Sequence, residues 1–503
     1  MKPTKTSIAV LIGAGGVAHG QALPGILPQS TAWNSSFRFT PEQIKLGQLT
    51  PELASSVELI LNFDRSQLAN GGPSYDGFYK LDNTSTNATP QGPGEVLKVQ
   101  QFTDPAVYNL PAQIAISRIL YSTTNLNGTL IPASAAVLWP YTPGQFSNRA
   151  KHDSKQNSSC SAAQNKAPVV LWAHGTSGFY ADGAPSAHRS LFYGDIVPFT
   201  LAQAGYVVVA PDYAGLGIDT SWDGSFVPHQ YLARQAGAAD ALNSVRAVRK
   251  TWGSSVTDEY VVLGHSQGGA VSWGVSELLA QMPSEYKDLE QGHLGTVVFN
   301  PASGEIFKAA TQLFIPWLST YLSGVFPTFS LSDWLTPLGI ARTQLLSQIK
   351  GGQYVSMALF ANQSQSDIVN PAWNETWYQQ AATVLANPGK QPFKGPMILF
   401  EGGDDTFDGL NRNTALFDAT CPQYGDDFEF VVVANASHFP TMDAARQQWL
   451  KWIEDRFEGK KTPKGCVKSE LKSFLPAGRY QVQRKSFYEW SGTAEWFYQL
   501  PAA

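Results

Sequence analysis

Gly264-His265-Ser266-Gln267-Gly268, followed by Gly269, forms a G-x-S-x-G motif between an apolar run, Tyr260 to Leu263, and a helical pattern starting near Ala270. Strand before and helix after are what a nucleophile elbow needs. The turn presents a serine hydroxyl, and the flanking glycines leave no side chains to clash. The pattern alone recurs by chance; its context makes Ser266 the candidate nucleophile. A serine hydroxyl attacks a carbonyl carbon only when a base removes its proton, so a base must be found.

Of the eight histidines, only His293 and His438 follow Ser266, and sites built on such an elbow run serine, acid, histidine along the chain. His293 precedes the next apolar strand with no strand-end acid before it, and reads as a surface residue. His438 follows the apolar run Phe428 to Val433 in a loop ahead of a helical pattern, where an imidazole can hang over the elbow. The acid belongs in the turn after a strand, and Phe400-Glu401-Gly402-Gly403-Asp404-Asp405 supplies one. Counting from Gly402 selects Asp405, with Asp404 as the alternative and Asp408 as a helix cap. The acid's work is to hold the His438 tautomer and stabilise the imidazolium.

Negative charge developing on the substrate carbonyl oxygen needs backbone N–H donors. Gln267, directly after the nucleophile, offers one. The second is expected from the loop His174-Gly175-Thr176-Ser177-Gly178, with Thr176 preferred to Gly175. His174 reads as ordering that loop. Asp212, in Pro211-Asp212-Tyr213-Ala214-Gly215-Leu216-Gly217, reads as a turn-forming residue near the site. A metal site with Asp219 and Asp223 lacks any supporting His or Cys, so neither metal nor cofactor is expected.

The elements that must hold these residues alternate regularly. Strands are expected at Ile114 to Tyr121, Ala135 to Trp139, Val169 to Ala173, Val207 to Ala210, Tyr260 to Leu263, Thr296 to Phe299, Pro396 to Phe400 and Phe428 to Val433. Helical spacing marks Leu232 to Lys250, Ala270 to Ala280 and Met442 to Phe457. Continuous apolar strands alternating with helices predict an α/β fold, a mostly parallel sheet covered on both faces. Between the strands ending at Phe299 and starting at Pro396 the apolar Phe314 to Phe326 and the helical Ile340 to Ile349 predict a helical cap, since so long a structureless loop is improbable. The resulting division is 1–22 leader, 23–110 irregular N-terminal region, 111–302 first core part, 303–394 cap or lid, 395–466 second core part and 467–503 aromatic-rich tail.

Charged residues are 15% of the chain and hydrophobic residues 43%, with a net charge of −5, against a charged share of about 25% in ordinary domains. Nothing resembles a basic nucleic-acid face, and a weakly charged protein suits neutral or apolar ligands. Lys2 and Lys5, the apolar run Ile8 to Val17 and Gly20-Gln21-Ala22 read as a secretory signal cut before Leu23. No other stretch is apolar for the ~18 residues that stable membrane insertion needs. Asn-x-Ser/Thr triplets at Asn34, Asn83, Asn87, Asn127, Asn157, Asn362 and Asn374 suit glycosylation on a secretory route. Asn435 begins another, expected to stay bare because of its closeness to His438. Three cysteines allow one disulfide; Cys421 with Cys466 is the expected pair, both lying in the C-terminal part of the core, and Cys160 is left over.

Several segments together resemble the fungal and bacterial secretory lipase family, the group of the yeast lipase A-type enzymes. They are Ala173 to Thr176, Ala204-Gly205-Tyr206 through Gly217, the Gly264–Gly269 elbow, Gly402 to Asp405, and Trp452 to Phe457 ending at Cys466. The resemblance spans roughly Ser117 to Cys466 and implies an α/β-hydrolase fold with an inserted cap and no cofactor. It also implies a Ser266–Asp405–His438 triad acting on carboxylic esters. The expected substrate is a small-molecule or lipid ester with apolar parts, met with possible contact at a lipid interface. A peptidase or amidase, or an acyltransferase of a secondary-metabolite pathway, uses the same triad and remains the alternative. The apolar cap reads equally as an acyl-pocket lining or as ordinary core packing.

Overall fold

Ten strands form one sheet among the described residues of the computed structural model, which are 35–81, 90–146, 166–304, 307, 311–360, 362–407, 409–424, 427–482 and 487. The leader, Asn34, Asn83, Asn87, Asn157, Cys160 and Asp408 lie outside them. The strands are β1 Val96–Gln100, β2 Ile114–Thr124, β3 Leu130–Pro140, β4 Ala167–Ala173, β5 Val207–Pro211, β6 Val256–His265, β7 His293–Phe299, β8 Met397–Gly402, β9 Asp427–Val433 and β10 Gly465–Leu471. Their order is β1-β2-β3-β5-β4-β6-β7-β8-β9-β10. The first three pairings, β1/β2, β2/β3 and β3/β5, are antiparallel and the rest parallel.

The continuous apolar strands are explained by burial on both faces. Val170, Trp172, Val208, Val261, Leu263, Val297 and Phe299 enter one core, with Phe199, Leu201 and Trp449. The alternate residues Val169, Leu171, Val207, Val209 and Val262 enter another, with Leu242 and Val245 of the helix Arg234–Trp252 and Val275 and Leu279 of the helix Gln267–Gln281. Each fully buried side chain of this size stabilises the fold by about 1.5–3 kcal/mol. The expected mostly parallel α/β sheet is therefore present, with helices on both sides.

Between β7 and β8 the chain forms helices Thr311–Val325, Pro337–Gln348, Gln353–Phe360 and Trp377–Ala386, among shorter turns. The expected helix Met442 to Phe457 is two, Pro440–Ala444 and Arg446–Phe457. Cys421 and Cys466 are bonded, tying the helix Leu410–Tyr424 to β10 with Cα atoms 5.8 Å apart. No described helix is long and apolar enough to cross a membrane.

Two expectations are corrected. The region read as irregular carries helices Pro41–Gly47 and Pro51–Ser66 and edge strand β1. Thr40 and Thr50 cap the helices, their hydroxyls accepting the N–H of Gln43 and Leu53 at 3.2 Å, with proline in the first turn where no N–H is needed. Val57, Ile60 and Leu61 bury the second helix in the core. His293, read as a surface residue, is buried at the start of β7 with Nε2 2.9 Å from Thr296 Oγ1, and burial pushes its ring down to about 3.

Candidate active site

β6 delivers the elbow. Its last residue is His265, and Ser266 follows with φ 57° and ψ −119°, a strained backbone for a residue with a side chain. The turn is held by the Ser266 N–H on the Phe299 carbonyl at 3.0 Å, and by the Ser266 carbonyl accepting from Ala302 at 2.9 Å. Two glycines make it sterically possible. A Cβ on Gly264 would lie 2.0 Å from the Gly268 carbonyl oxygen, and one on Gly268 would lie 2.0 Å from that of Ala173. Only hydrogens fit, so the motif's glycines are steric requirements of close strand–helix approach.

β8 and β9 position the candidate acid and base. Asp405 is seated in the turn after β8, and His438 stands between β9 and the helix Pro440–Ala444. His438 Nδ1 donates to Asp405 Oδ2 at 2.7 Å. The same oxygen accepts from Asn300 Nδ2 at 2.6 Å, while Oδ1 accepts the Phe407 N–H at 2.8 Å. Burial pushes the Asp405 carboxyl up, but the His438 charge and hydrogen bonds from His438, Phe407 and Asn300 outweigh it and hold the group below its ordinary value. A carboxylate can only accept, so the Nδ1 proton is fixed and Nε2 is left as the basic nitrogen. Asp404, the alternative acid, instead receives the Tyr480 hydroxyl.

A second histidine supports the first. His265 Nε2 lies 3.1 Å from the His438 carbonyl and Nδ1 lies 2.8 Å from the Tyr193 hydroxyl. Because a carbonyl only accepts, Nε2 carries the proton and Nδ1 accepts from tyrosine. Burial, with His438 nearby, holds the His265 ring well below the usual imidazole range, so it stays neutral. The Tyr193 hydroxyl also sits where Gly175 must have no side chain: a Cβ there would be 2.1 Å from it, and 3.2 Å from Ser266 Cβ. The loop after β4 therefore lies directly over the elbow.

Gln267 is the first residue of its helix, so its N–H has no intrahelical acceptor. Thr176 is half-buried next to Gly175, its hydroxyl 2.8 Å from that of Tyr231. His174 is buried, with Nδ1 2.7 Å from the Gly175 carbonyl and Nε2 3.1 Å from that of Asp212; burial pushes it down to about 4. It orders the loop, as its position suggested. Asp212 accepts the Ser186 N–H at 2.7 Å and the Ser134 hydroxyl at 2.5 Å, and burial pushes its carboxyl up to about 6.

Aromatic rings frame the site. Phe407 lies 4.9 Å from the His438 ring and Phe439 lies 5.0 Å from that of His265. From the helix Thr311–Val325, Trp317 packs on Phe179 at 4.4 Å and on Tyr231 at 5.9 Å. The inserted helices thus touch the loop after β4. Asn300, His265, Tyr193, His229 and Tyr231 were not singled out from the sequence; Asn300, standing directly after an apolar strand run, carried the one local signal.

Comparison with known proteins places the fold. The structure is similar to Candida antarctica lipase A, with TM-score 0.59 and 16% identity over 81% of this chain and 92% of that one. It is also similar to the rice cell wall degrading esterase LipA from Xanthomonas oryzae, with TM-score 0.56 and 15% identity over 74% of this chain and 100% of that one. A hydrolase fold from Legionella pneumophila matches with TM-score 0.53 and 17% identity, over 72% and 96% of the two chains. No curated protein matches in sequence. A sequence model of the alpha/beta hydrolase family matches residues 169–450, which run from β4 through the elbow, the acid turn and the histidine loop. By its fold, strand order and that match, the chain belongs to the alpha/beta hydrolase family.

Proposed function

We propose that the chain is a serine carboxylic ester hydrolase of the lipase and esterase type, working through an acyl-enzyme on Ser266. The observation that carries this reading is the Asp405–His438 hydrogen bond set beside a strained serine elbow. Ser266 Oγ attacks the ester carbonyl carbon as its proton passes to His438 Nε2, and Asp405 stabilises the imidazolium. The tetrahedral oxyanion is held by the N–H groups of Gln267 and Thr176. Collapse breaks the ester C–O bond, and the leaving alcohol takes the proton from His438. Water then gives a proton to His438 and attacks the acyl carbon. The second tetrahedral intermediate expels Ser266, which regains its proton, and the carboxylic acid leaves.

The partly buried Phe407 ring against His438 gives the site an apolar neighbour, in keeping with esters that have apolar acyl or alcohol parts. The names of the similar structures, a lipase and a cell wall degrading esterase, agree with ester substrates. Secretion is part of the same proposal. The leader-like first 22 residues suggest it, as does the Cys421–Cys466 bond, a feature of oxidising compartments. Asn127, Asn362 and Asn374 are exposed and suited to carry sugar, and Asn435 is exposed too.

The test is a panel of p-nitrophenyl esters, triglycerides and peptide amides, with a fluorophosphonate label located by mass spectrometry. Ester turnover with the label on Ser266, both lost in Ser266→Ala, is the expected result. Full esterase activity in Ser266→Ala overturns the reading, and turnover of amides alone replaces it with a peptidase.

A further inference from the structure

The two oxyanion donors come from distant parts of the chain, Thr176 after β4 and Gln267 after β6. One short segment grips both. His229 and Tyr231 lie between β5 and the helix Arg234–Trp252, and the Tyr231 N–H donates to the His229 carbonyl at 2.9 Å, closing a three-residue turn. His229 Nε2 is 3.0 Å from Gln267 Nε2, and the Tyr231 hydroxyl is 2.8 Å from Thr176 Oγ1.

The direction of the first contact follows from elementary bonding. His229 Nδ1 lies 3.1 Å from the Ala214 carbonyl, which can only accept, so Nδ1 carries a proton. Burial holds the ring neutral by pushing it down to about 3. Nε2 is therefore a bare acceptor, and the Gln267 amide must turn its NH2 toward it. One orientation of the Gln267 side chain is selected, and with it the first residue of the nucleophile helix.

The turn is itself rigid. His229 is 6% and Tyr231 2% exposed. Gly215 lies so close that a Cβ would be 2.3 Å from the His229 nitrogen. His229 stacks on Tyr213 with ring centres 6.0 Å apart, and Tyr231 meets Phe179 edge-on at 5.2 Å.

We propose that the His229–Tyr231 turn is a positioning element of the oxyanion hole, setting Gln267 through His229 and Thr176 through Tyr231. This rests on the serine-hydrolase reading above. The physical need is clear. Oxyanion donors act only when they converge at hydrogen-bond distance on one oxygen, and a site needs its supporting contacts to hold geometry to about 0.5 Å. A helix's first N–H and a loop N–H have no ladder to fix them. A shared turn registers one against the other.

The experiment uses the full-length enzyme with Tyr231→Phe and His229→Leu. Removing a whole oxyanion donor costs roughly 10²–10³ in kcat, so loosening one is expected to cost roughly tenfold, with KM within about twofold. Affinity for a trifluoromethyl ketone, which mimics the tetrahedral state, should weaken in parallel. His229→Leu should cost nothing further in a Gln267→Ala background, which keeps the N–H but leaves His229 nothing to hold. Tyr231→Phe should likewise be silent in Thr176→Val. Tyr231→Phe removes one hydroxyl and no volume, so it remains informative if His229→Leu fails to fold. Unchanged kcat in a folded Tyr231→Phe, or equal losses in the single and double backgrounds, overturns the proposal. If Ser266→Ala is inactive while the turn variants keep full kcat, only this inference fails; if Ser266→Ala is active, the underlying reading fails.

Discussion

Asp405→Asn is the perturbation whose outcome the structure constrains most closely. Its two carboxylate oxygens are not equivalent. Oδ2 accepts two donors, His438 Nδ1 at 2.7 Å and Asn300 Nδ2 at 2.6 Å, while Oδ1 accepts one, the Phe407 N–H at 2.8 Å. The amide that replaces the carboxylate has one oxygen to place. With that oxygen at the Oδ2 position two hydrogen bonds survive and its NH2 faces one donor. Reversed, one bond survives and two donors are opposed. The difference is about one hydrogen bond and one orphaned buried donor, or roughly 1–3 kcal/mol. The first orientation therefore holds, His438 keeps its Nδ1 proton, and Nε2 stays basic.

What is lost is the negative charge opposite the imidazolium. A hydrogen bond to a charged group contributes about 1.5–3 kcal/mol, which converts to roughly 10- to 10²-fold in kcat. An amide in the reversed orientation would enforce the wrong tautomer, for which a loss of ~10⁴ is the precedent. Adding Asn300→Gly discriminates between the two. It removes one donor from the Oδ2 side and leaves one on each side, so the preference disappears. Glycine also accepts the backbone at this position, where φ is 40°. Steady-state kcat on a p-nitrophenyl ester should fall about 10²-fold in Asp405→Asn and fall again in the double variant, beyond the few-fold loss from Asn300→Gly alone. A ~10⁴-fold loss that Asn300→Gly does not deepen, or a loss under twofold, refutes the reasoning.

The Cys421–Cys466 bond closes a sequence separation of 45 residues, worth at most about 4 kcal/mol of loop entropy. Cys421→Ala with Cys466→Ala should shift the urea midpoint down with kcat at 25 °C within about twofold, because the bond anchors edge strand β10 away from the elbow; coincident melts would contradict this. Gly268→Ala drives a Cβ to 2.0 Å from the Ala173 oxygen, backbone against backbone, and should cost roughly 3 kcal/mol or more, seen as a fall in thermal midpoint and soluble yield. Asp240 is 3% exposed, and burial raises its carboxyl from 3.8 to about 7. The unfolded chain releases that proton first, so the stability that Asp240 contributes is lost as pH rises from about 4 to about 7. Asp240→Asn removes the slope, so urea melts should favour the variant more at pH 8 than at about pH 4; an equal difference at both refutes it.

Much of the candidate site was legible because its constraints are local. The elbow needs glycine at 264 and 268 on steric grounds, and the acid and base belong in turns after apolar strands. Counting from Gly402 points to Asp405, whose Oδ2 accepts from His438, while Asp404 receives the Tyr480 hydroxyl. The N-terminal helices were missed although Thr40-Pro41-Glu42-Gln43 and Thr50-Pro51-Glu52 are cap signals, because Pro, Gly and Ser in the surrounding stretch read as loop. His293 was misplaced for a different reason. Its partner, Thr296 Oγ1, lies within the strand, and the ring packs against Gly395, just before β8, and against Tyr260 at 5.7 Å. His229 and Tyr231 had no local signal at all: each acts on a residue that meets it only in space.

The strand order explains why Asn300 belongs to the same set. β4, β6, β7, β8 and β9 are consecutive neighbours, and their C-terminal ends carry Thr176, Ser266, Asn300, Asp405 and His438 in that order. Strands sit about 4.8 Å apart, so serine and acid are separated by a whole intervening strand end, and the histidine by two. Asn300 occupies the first gap and hydrogen-bonds forward onto Asp405. The 434–440 loop closes the second by folding back until the His438 ring lies 4.5 Å from that of His265. The helical insertion leaves the chain after Asn300 has made this contact. The inserted helices between β7 and β8 therefore leave intact the β7 end, which holds Asn300 on Asp405 as part of the sheet.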